Sequence, residues 1–134
     1  MSGRVVTGEF DWSRYDNCMR ISVVGESNYQ PALVRVSKCP PTGDHRYECS
    51  AELVLEPTNP YDENAVMVKI DRERVGYLPR AIAKEFGGRL RSLAKQGKPA
   101  ICMAFVGRSV DAGHDNLGVS LHLPYDGEIL QAEG

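Results

Sequence analysis

Six stretches of the chain have the apolar patterning of β-strands. Two are continuous apolar or β-branched runs, which predict buried strands: residues 20–26 (RISVVGE) and 101–107 (ICMAFVG). Residues 51–57 and 118–123 alternate apolar and polar side chains, which predicts strands with one face in water. Two more strands are predicted at 65–70 and 74–78, and the three residues between them are few enough for a hairpin loop.

Residues 80–96 change to a helical period. Ile82, Phe86, Leu90 and Leu93 recur at spacings of three and four, which places them on one face of a helix. Gly87-Gly88 lies in the middle, and each glycine costs roughly 1 kcal/mol against alanine there, so a kink or break is predicted. Residues 27–36 predict a turn at Gln30-Pro31 and then an alternating or short helical segment.

This order of elements predicts a mainly β fold. Five to six strands, with one main α-helix inserted before the last two, suit a small OB-like antiparallel barrel whose helix covers one opening. No repeat or linker divides the chain. We assign residues 20–123 to the domain, 1–19 to an N-terminal extension or edge element, and 124–134 to a C-terminal tail.

The composition is that of a soluble globular protein. Of 134 residues, 42% are hydrophobic and 25% are charged. No apolar run approaches the roughly 18 residues needed to cross a bilayer, and the start of the chain does not resemble a signal peptide. We therefore expect a cytoplasmic location and no membrane partner.

The cysteines do not indicate a metal site. Cys39 and Cys49 bracket a segment that contains His45, and Cys18 and Cys102 lie far away in sequence. Structural zinc sites usually include a short Cys-x-x-Cys pair, which is missing here. We expect a polar surface loop between Cys39 and Cys49, and neither a metal nor a cofactor.

Charge is distributed unevenly. The net charge is −2, yet residues 66–108 hold 10 basic and 3 acidic side chains, a local excess of +7. Within it, the helical period places four cations on one stripe: Arg80, Lys84, Arg91 and Lys95. Such a stripe is either a solvated helix face or a path for phosphates.

The sequence Asn59-Pro60-Tyr61-Asp62 has more polar groups than a turn requires. Proline suits the second position of a turn and asparagine the first, so the reversal itself is explained. Asp62 then has two interpretations, bonding to nearby backbone as in an Asx turn or contacting a ligand. Tyr61 is expected in the core or at the barrel edge.

Three blocks of sequence together resemble a known family. The blocks are VVGESNYQ (residues 23–30), EPTNPYDENAVMVKI (56–70) and VGYLPRAIAKEF (75–86). In this order and spacing they are similar to the signature of the HIRAN domain, which occurs in helicase-like, fork-remodelling translocases and in small bacterial proteins. The chain has no ATPase motif such as G-x-x-x-x-G-K-[ST], so it resembles a free-standing bacterial member.

The resemblance implies an OB-like barrel that grips the 3′-terminal nucleotides of single-stranded DNA. It implies that Asp62 accepts a hydrogen bond from the 3′-OH, and that Tyr29 stacks on the end bases or meets the backbone. The other implied contacts are a polar turn residue, a basic residue near a phosphate and an apolar residue near a base: Asn59, Arg80 and Leu117.

The chain departs from the DNA-binding eukaryotic members at three positions. Asn28 replaces an aromatic residue, Ser27 replaces a basic residue, and Tyr77 replaces a histidine. An aromatic platform is worth about 1–3 kcal/mol per base. We keep Asn28 and Tyr77 in the predicted binding surface, where Tyr77 could supply stacking or a hydrogen bond to a phosphate.

The predicted function is a non-catalytic module that binds single-stranded DNA, at its 3′-OH end, in DNA repair or processing. One alternative is a protein-interaction adaptor for a nuclease or helicase partner. The other is a metal-dependent nuclease, although Asp62, Glu63 and Glu56 are the only carboxylates close together in that part of the sequence, and no Ser-His-Asp, H-E-x-x-H or Cys-His motif is evident.

Overall fold

A curled sheet of six antiparallel strands forms the framework of the computed structural model, which describes residues 18–38, 45–108 and 116–124. Across the sheet the order is β1-β6-β5-β2-β3-β4. The strands are β1 (Cys18–Ser22), β2 (His45–Leu55), β3 (Val66–Ile70), β4 (Glu73–Tyr77), β5 (Ala100–Arg108) and β6 (Gly118–Pro124). The predicted mainly β, OB-like antiparallel fold is confirmed, and its sheet forms a curled half-barrel. The predicted extension and tail lie largely outside the described residues.

The two edges of the sheet meet at one point. β1 and β4 lie at opposite ends of the strand order, but the chain that continues from β1 reaches β4 and pairs Val24 with Tyr77. Two backbone hydrogen bonds join the pair, from Val24 N to Tyr77 O (2.8 Å) and from Tyr77 N to Val24 O (2.9 Å). This bridge partly closes the half-barrel and brings residues 24–30 beside the end of β4.

Gly76 makes that approach possible. Its φ is +151°, and a Cβ at this position would lie 2.3 Å from Val23 Cγ1 and 2.8 Å from the carbonyl oxygen of Val24. The β3–β4 register shifts between Val68 and Lys69, so β4 carries an irregularity just before Gly76. A side chain would therefore force the two edges apart.

The hairpin between β3 and β4 turns in two residues. Ile70 pairs with Glu73, and the residues between them have positive φ, 50° for Asp71 and 70° for Arg72. Positive φ at both central positions is characteristic of the type I′ turn, whose twist matches that of the flanking strands. The predicted short hairpin loop is confirmed.

Two α-helices and a short 3₁₀ helix are found in the described part of the chain. The 3₁₀ helix (Glu26–Tyr29) leads directly into α1 (Gln30–Ser37), with Pro31 in the first turn, where its missing N–H costs nothing. The turn predicted at Gln30-Pro31 is therefore wrong, while the short helical segment is confirmed. α2 (Arg80–Lys95) lies between the β3–β4 hairpin and the last two strands, as predicted.

α2 buries the predicted apolar face. Phe86, Leu90 and Leu93 are part of the hydrophobic core, and Ile82 packs against it while half-buried. The helix continues through Gly87-Gly88, so a break there is wrong. A Cβ on Gly87 would lie 3.1 Å from Nη1 of Arg91, which shows that the arginine folds back over this glycine. Packing of the helix against the core outweighs the low helix propensity of glycine.

The loop predicted between Cys39 and Cys49 is wrong for residues 45–49, and residues 39–44 lie outside the described part of the chain. β2 begins at His45 and pairs with β5 from its first residue, so residues 45–49 are strand. β2 is longer than predicted because β5 offers hydrogen-bonding partners as far as Arg108. Burial raises the pKa of the half-buried Cys49 thiol to about 12, while Cys39 lies outside the described residues. Neither helix of the described residues is long and apolar enough to span a membrane.

Candidate nucleic-acid interface

The turn that follows β2 is fixed by the side chain of Asn59. Its Oδ1 accepts hydrogen bonds from the backbone N–H groups of Tyr61 (2.8 Å) and Asp62 (3.1 Å). Its Nδ2 donates to Oε1 of Glu56, 2.8 Å away. All three bonds are local, so the sequence Asn-Pro-Tyr-Asp forms this turn by its own chemistry, as the turn motif predicts.

Asp62 contacts both the backbone and a cation. Its Oδ1 accepts a hydrogen bond from the backbone N–H of Asn64 (2.9 Å), so the Asx interpretation is confirmed. Its Oδ2 lies 3.4 Å from Nε of Arg80, and the side chains are 18% and 76% exposed. Arg80 therefore lies beside the turn. Oδ1 thus stabilises the turn, while Oδ2 pairs with an arginine that is mostly exposed to solvent.

Tyr61 projects into solvent. It is 85% exposed, the highest value among the exposed large hydrophobic residues of the described chain. The expectation that it belongs to the core or the barrel edge is wrong. The bonds that Asn59 makes to the backbone of Tyr61 and Asp62 turn the chain at this point, and the ring of Tyr61 stays outside the core.

Glu56, at the start of the turn, joins it to the end of β4. Oε1 accepts hydrogen bonds from Asn59 Nδ2 (2.8 Å) and from the Tyr77 hydroxyl (2.7 Å), and Oε2 lies 3.6 Å from Nη2 of Arg74. The hydrogen bonds from Asn59 and Tyr77, together with the charge of Arg74, lower the pKa of Glu56. Burial and the bond to Glu56 raise the pKa of Tyr77 to about 12.

Arg74 in turn connects this cluster to Tyr29. A hydrogen bond with the Tyr29 hydroxyl is the main cause that raises the pKa of Arg74, and the nearby Tyr77 and Glu56 also contribute. Nε of Arg74 lies 3.0 Å from Sδ of Met67 on the neighbouring strand. Contacts with a thioether and a carboxylate therefore orient the guanidinium, and the side chain of Arg74 remains 45% exposed.

These contacts form one continuous polar surface, which we call the turn–β4 surface. It runs through Tyr29, Arg74, Glu56, Asn59, Asp62 and Arg80, with Tyr61 and Tyr77 beside it. Tyr29 and Asp62 lie far apart in sequence, and the Val24–Tyr77 bridge brings their two segments together. Asn28 is exposed one residue before Tyr29, in the 3₁₀ helix.

Leu117 does not belong to this surface. Its side chain is 1% exposed and is part of the hydrophobic core, so it presents no face to a base in this structure. Its backbone exchanges two hydrogen bonds with the side chain of Gln30, from Leu117 N to Oε1 (2.8 Å) and from Nε2 to Leu117 O (2.9 Å). Gln30 thereby anchors the start of α1, next to Tyr29, to the segment that leads into β6.

The basic stripe begins where the turn–β4 surface ends. Arg80 is the first residue of α2, and Lys84, Arg91 and Lys95 follow along the same side of the helix. All four side chains are exposed, so the predicted stripe is confirmed. Arg80 is thus both the partner of Asp62 and the first cation of the stripe.

Sequence patterns missed three members of the surface. Tyr61 was assigned to the core on the general behaviour of tyrosine. The sequence indicates Glu56 only as a carboxylate for the nuclease alternative and gives no role to Arg74, because the contact between the two depends on how the 56–65 segment packs across β4. The spacing of Glu56 and Asn59, three residues apart across a turn, was a local signal for the first of these contacts.

No cluster of three or more His, Cys, Asp or Glu side chains that could hold a metal ion is found among residues 18–38, 45–108 and 116–124.

Comparison with solved structures finds two crystal structures with low sequence identity. A protein from Lactobacillus plantarum is 20% identical, with a TM-score of 0.40 over 80% of this chain and 95% of its own. The HIRAN domain of human HLTF is 21% identical, with a TM-score of 0.37 over 88% of this chain and 89% of its own.

No curated protein matches the chain. The family model of the HIRAN domain matches residues 17–123, which include every strand but the last residue of β6, both α-helices and the whole turn–β4 surface. The resemblance carried by the three sequence blocks is thereby confirmed. The chain belongs to the HIRAN domain family.

Proposed function

We propose that this chain is a non-catalytic module that binds single-stranded DNA at a free 3′-OH end. The observation that carries the proposal is the Asp62–Arg80 pair, which combines a hydrogen-bond acceptor with a loosely held cation. The exposed Tyr61 immediately precedes Asp62 in the turn. A DNA 3′ end presents complementary chemistry: a hydroxyl donor, a phosphate one linkage away and an unpaired base. HIRAN domains of the HLTF type are DNA-binding modules, which supports the same conclusion.

The pair would exchange partners when DNA binds. The Asp62–Arg80 contact of 3.4 Å is longer than a good hydrogen bond, and Arg80 is mostly in water. Exposed ion pairs contribute about 0–1 kcal/mol, so separating this one costs little. Arg80 would then bind a phosphate, and Oδ2 of Asp62 would accept a hydrogen bond from the 3′-OH. Oδ1 keeps its bond to Asn64 throughout, which holds the carboxylate in position.

The aromatic residues have separate tasks in this proposal. Tyr61 offers an open ring on which a base could stack. Tyr29, half-buried and held through its hydroxyl by Arg74, would meet the nucleotide preceding the end. The Tyr77 hydroxyl already donates to Glu56, so Tyr77 would contribute its ring and would orient Glu56. Asn28 and the stripe that begins at Arg80 would contact the strand farther from its end.

The test is a binding titration with fluorescently labelled single strands of one sequence that carry either a 3′-OH or a 3′-phosphate, with a circular single strand as a third ligand. We expect the strand with a free 3′-OH to bind most tightly. Asp62→Asn should weaken that binding at least tenfold, because one charge-assisted hydrogen bond is worth roughly 1.5–3 kcal/mol. Binding of the 3′-phosphorylated strand should change little.

The matched control is Glu63→Gln, which removes an exposed carboxylate next to Asp62 in the same segment. It should leave the preference for the 3′-OH unchanged. Equal affinity of the unmodified protein for all three strands would overturn recognition of the end while leaving single-strand binding. Absence of binding to any of them would overturn the proposed function.

A further inference from the structure

Two arginines of the turn–β4 surface, Arg74 and Arg80, each pair with a carboxylate at a distance of more than 3 Å. Nη2 of Arg74 lies 3.6 Å from Oε2 of Glu56, and Nε of Arg80 lies 3.4 Å from Oδ2 of Asp62. Both arginines are at least 45% exposed, whereas both carboxylates are less than 20% exposed. In each pair the cation therefore faces solvent and the carboxylate lies beneath it.

The surroundings of Arg74 prepare it to meet an anion. The contact with Met67 restrains one side of the guanidinium, so less side-chain freedom remains to be lost when a ligand binds. Glu56 receives hydrogen bonds from Asn59 and Tyr77 in addition to the charge of Arg74. These donors partly neutralise the carboxylate, which reduces its repulsion of a phosphate bound to Arg74.

The position of Arg74 follows from the chain of contacts. Asn59 links the two arginine–carboxylate pairs, because its Nδ2 donates to Glu56 and its Oδ1 accepts from the backbone N–H of Asp62, and Arg74 also lies close to Tyr29. A strand whose 3′-OH is at Asp62 and whose last phosphate is at Arg80 would pass Tyr29 with an earlier nucleotide. Its earlier phosphates would then come within reach of Arg74.

We propose that Arg74 binds a second backbone phosphate of single-stranded DNA, on the Tyr29 side of the turn–β4 surface, and that Glu56 is the positioning residue that holds it there. The inference rests on the proposed function. It assigns two phosphate contacts to the surface itself, in addition to any along the basic stripe of α2. Arg74 thereby selects for a strand that continues past the terminal linkage.

The experiment measures the dissociation constant of the full chain for a single strand with a free 3′-OH, at several salt concentrations. Each phosphate contact on a single strand adds about 0.7 to the slope of log affinity against log salt. Arg74→Gln should reduce the slope by about 0.7 and weaken binding about tenfold at low salt. Arg74→Lys keeps the charge and should restore the slope.

Arg72→Gln is the matched control, since Arg72 is exposed at the tip of the same hairpin and its replacement removes the same charge. It should leave the slope as it is. If Arg74→Gln and Arg72→Gln bind alike while the unmodified protein binds well, the inference is overturned and the proposed function stands. If the unmodified protein does not bind single strands, the proposed function fails, and the assignment of Arg74 with it.

An unfolding curve of each variant, monitored by circular dichroism, shows whether the variant keeps its fold. A salt slope that falls by about 0.7 in Arg74→Gln but equals that of the unmodified protein in Arg74→Lys, with both variants folded, supports a phosphate contact. A slope that is lost in both variants indicates that Arg74 acts through the shape of the surface, and it overturns the contact.

Discussion

At the scale of single residues, Glu56 contacts three side chains of the turn–β4 surface. It lies between the turn and β4, accepts hydrogen bonds from Asn59 and Tyr77, and pairs with Arg74. Its side chain is only 19% exposed, so removing its charge leaves donors that water replaces incompletely. Glu56 thereby couples the geometry of the turn to that of the strand.

The lowered pKa of Glu56 predicts how its contribution to stability depends on pH. Because the folded-state pKa lies below the ordinary value of 4.5, the contribution is complete above pH 4.5 and is lost as the pH falls through the folded-state pKa. Glu56→Gln should lower the free energy of unfolding by about 1–2 kcal/mol at neutral pH. Urea unfolding at a series of pH values should show this difference shrinking below pH 4.5.

Glu85→Gln is the control, since Glu85 is exposed on α2 and its charge lies outside the turn–β4 surface. Its effect on the free energy of unfolding should be small at every pH. A difference between Glu56→Gln and the unmodified protein that stays constant from neutral pH to pH 3 would show that the ionised carboxylate is not its source.

At the scale of elements, the decisive contact is the meeting of the two sheet edges at Val24 and Tyr77. This bridge brings the 3₁₀ helix, and with it Tyr29, alongside the β3–β4 hairpin. It requires close approach of the backbones, and that approach depends on the absence of a side chain at Gly76. A change at this glycine should therefore affect both stability and the turn–β4 surface.

Gly76→Ala should lower the free energy of unfolding by at least about 2 kcal/mol, because the new Cβ would overlap Val23 and the backbone of Val24 and the φ is unfavourable for alanine. Gly25→Ala is the matched comparison, since Gly25 also has positive φ (78°) but has nothing within 4 Å of an added Cβ. It should cost only about 1–2 kcal/mol, from the backbone conformation alone. Equal costs for the two changes in chemical unfolding would contradict the close approach as the cause.

A further prediction at this scale concerns Gly88 in α2. Gly88 is exposed, has an ordinary helical environment, and a Cβ there would meet Arg91 only at van der Waals distance, 3.9 Å from Nη2. Gly88→Ala should therefore raise the free energy of unfolding by about 0.5–1 kcal/mol through helix propensity. A thermal or urea unfolding curve that shifts toward lower stability would indicate that Arg91 needs the space above the helix.

At the scale of the whole molecule, the local electrostatic field is more relevant to the binding of a nucleic acid than the net charge is. The chain carries −2 overall, yet residues 66–108 have an excess of +7, and the exposed stripe on α2 belongs to this region. The stripe starts at the proposed 3′-end contact, so it adds to the positive potential that attracts a strand toward that contact. Charges on the outer face of the sheet, such as Arg20 and Arg46, lie on other elements.

Replacing Lys84 and Lys95 together with glutamine tests the stripe as a phosphate path. If both contact phosphates, the salt dependence of single-strand binding should fall by about 1.4 in log–log slope. Arg20→Gln with Arg46→Gln removes the same charge from β1 and β2 and should leave the slope unchanged. Equal slopes for the two double variants would assign the stripe to solvation of the helix.

The sequence by itself determined the elements whose signal is local. Alternation and apolar runs predicted six strands, although the first, predicted as a buried strand over 20–26, is the edge strand β1 at Cys18–Ser22. The three- and four-residue spacing predicted α2 and its buried face, and turn chemistry predicted the Asn59 turn. The three sequence blocks also indicated the HIRAN family, which the family model confirms. Each of these features depends on neighbours in the chain, so periodicity and residue type are sufficient to find it.

The tertiary structure alone decided what lies between elements. The length of β2 depends on pairing with β5, and the continuity of α2 through Gly87-Gly88 depends on packing against the core. The exposure of Tyr61, the burial of Leu117 and the contacts of Glu56 with Arg74 and Tyr77 depend on which surfaces meet when the sheet curls. The physical reason is that burial and ion pairing are properties of a position in space, and residues far apart in sequence create that position.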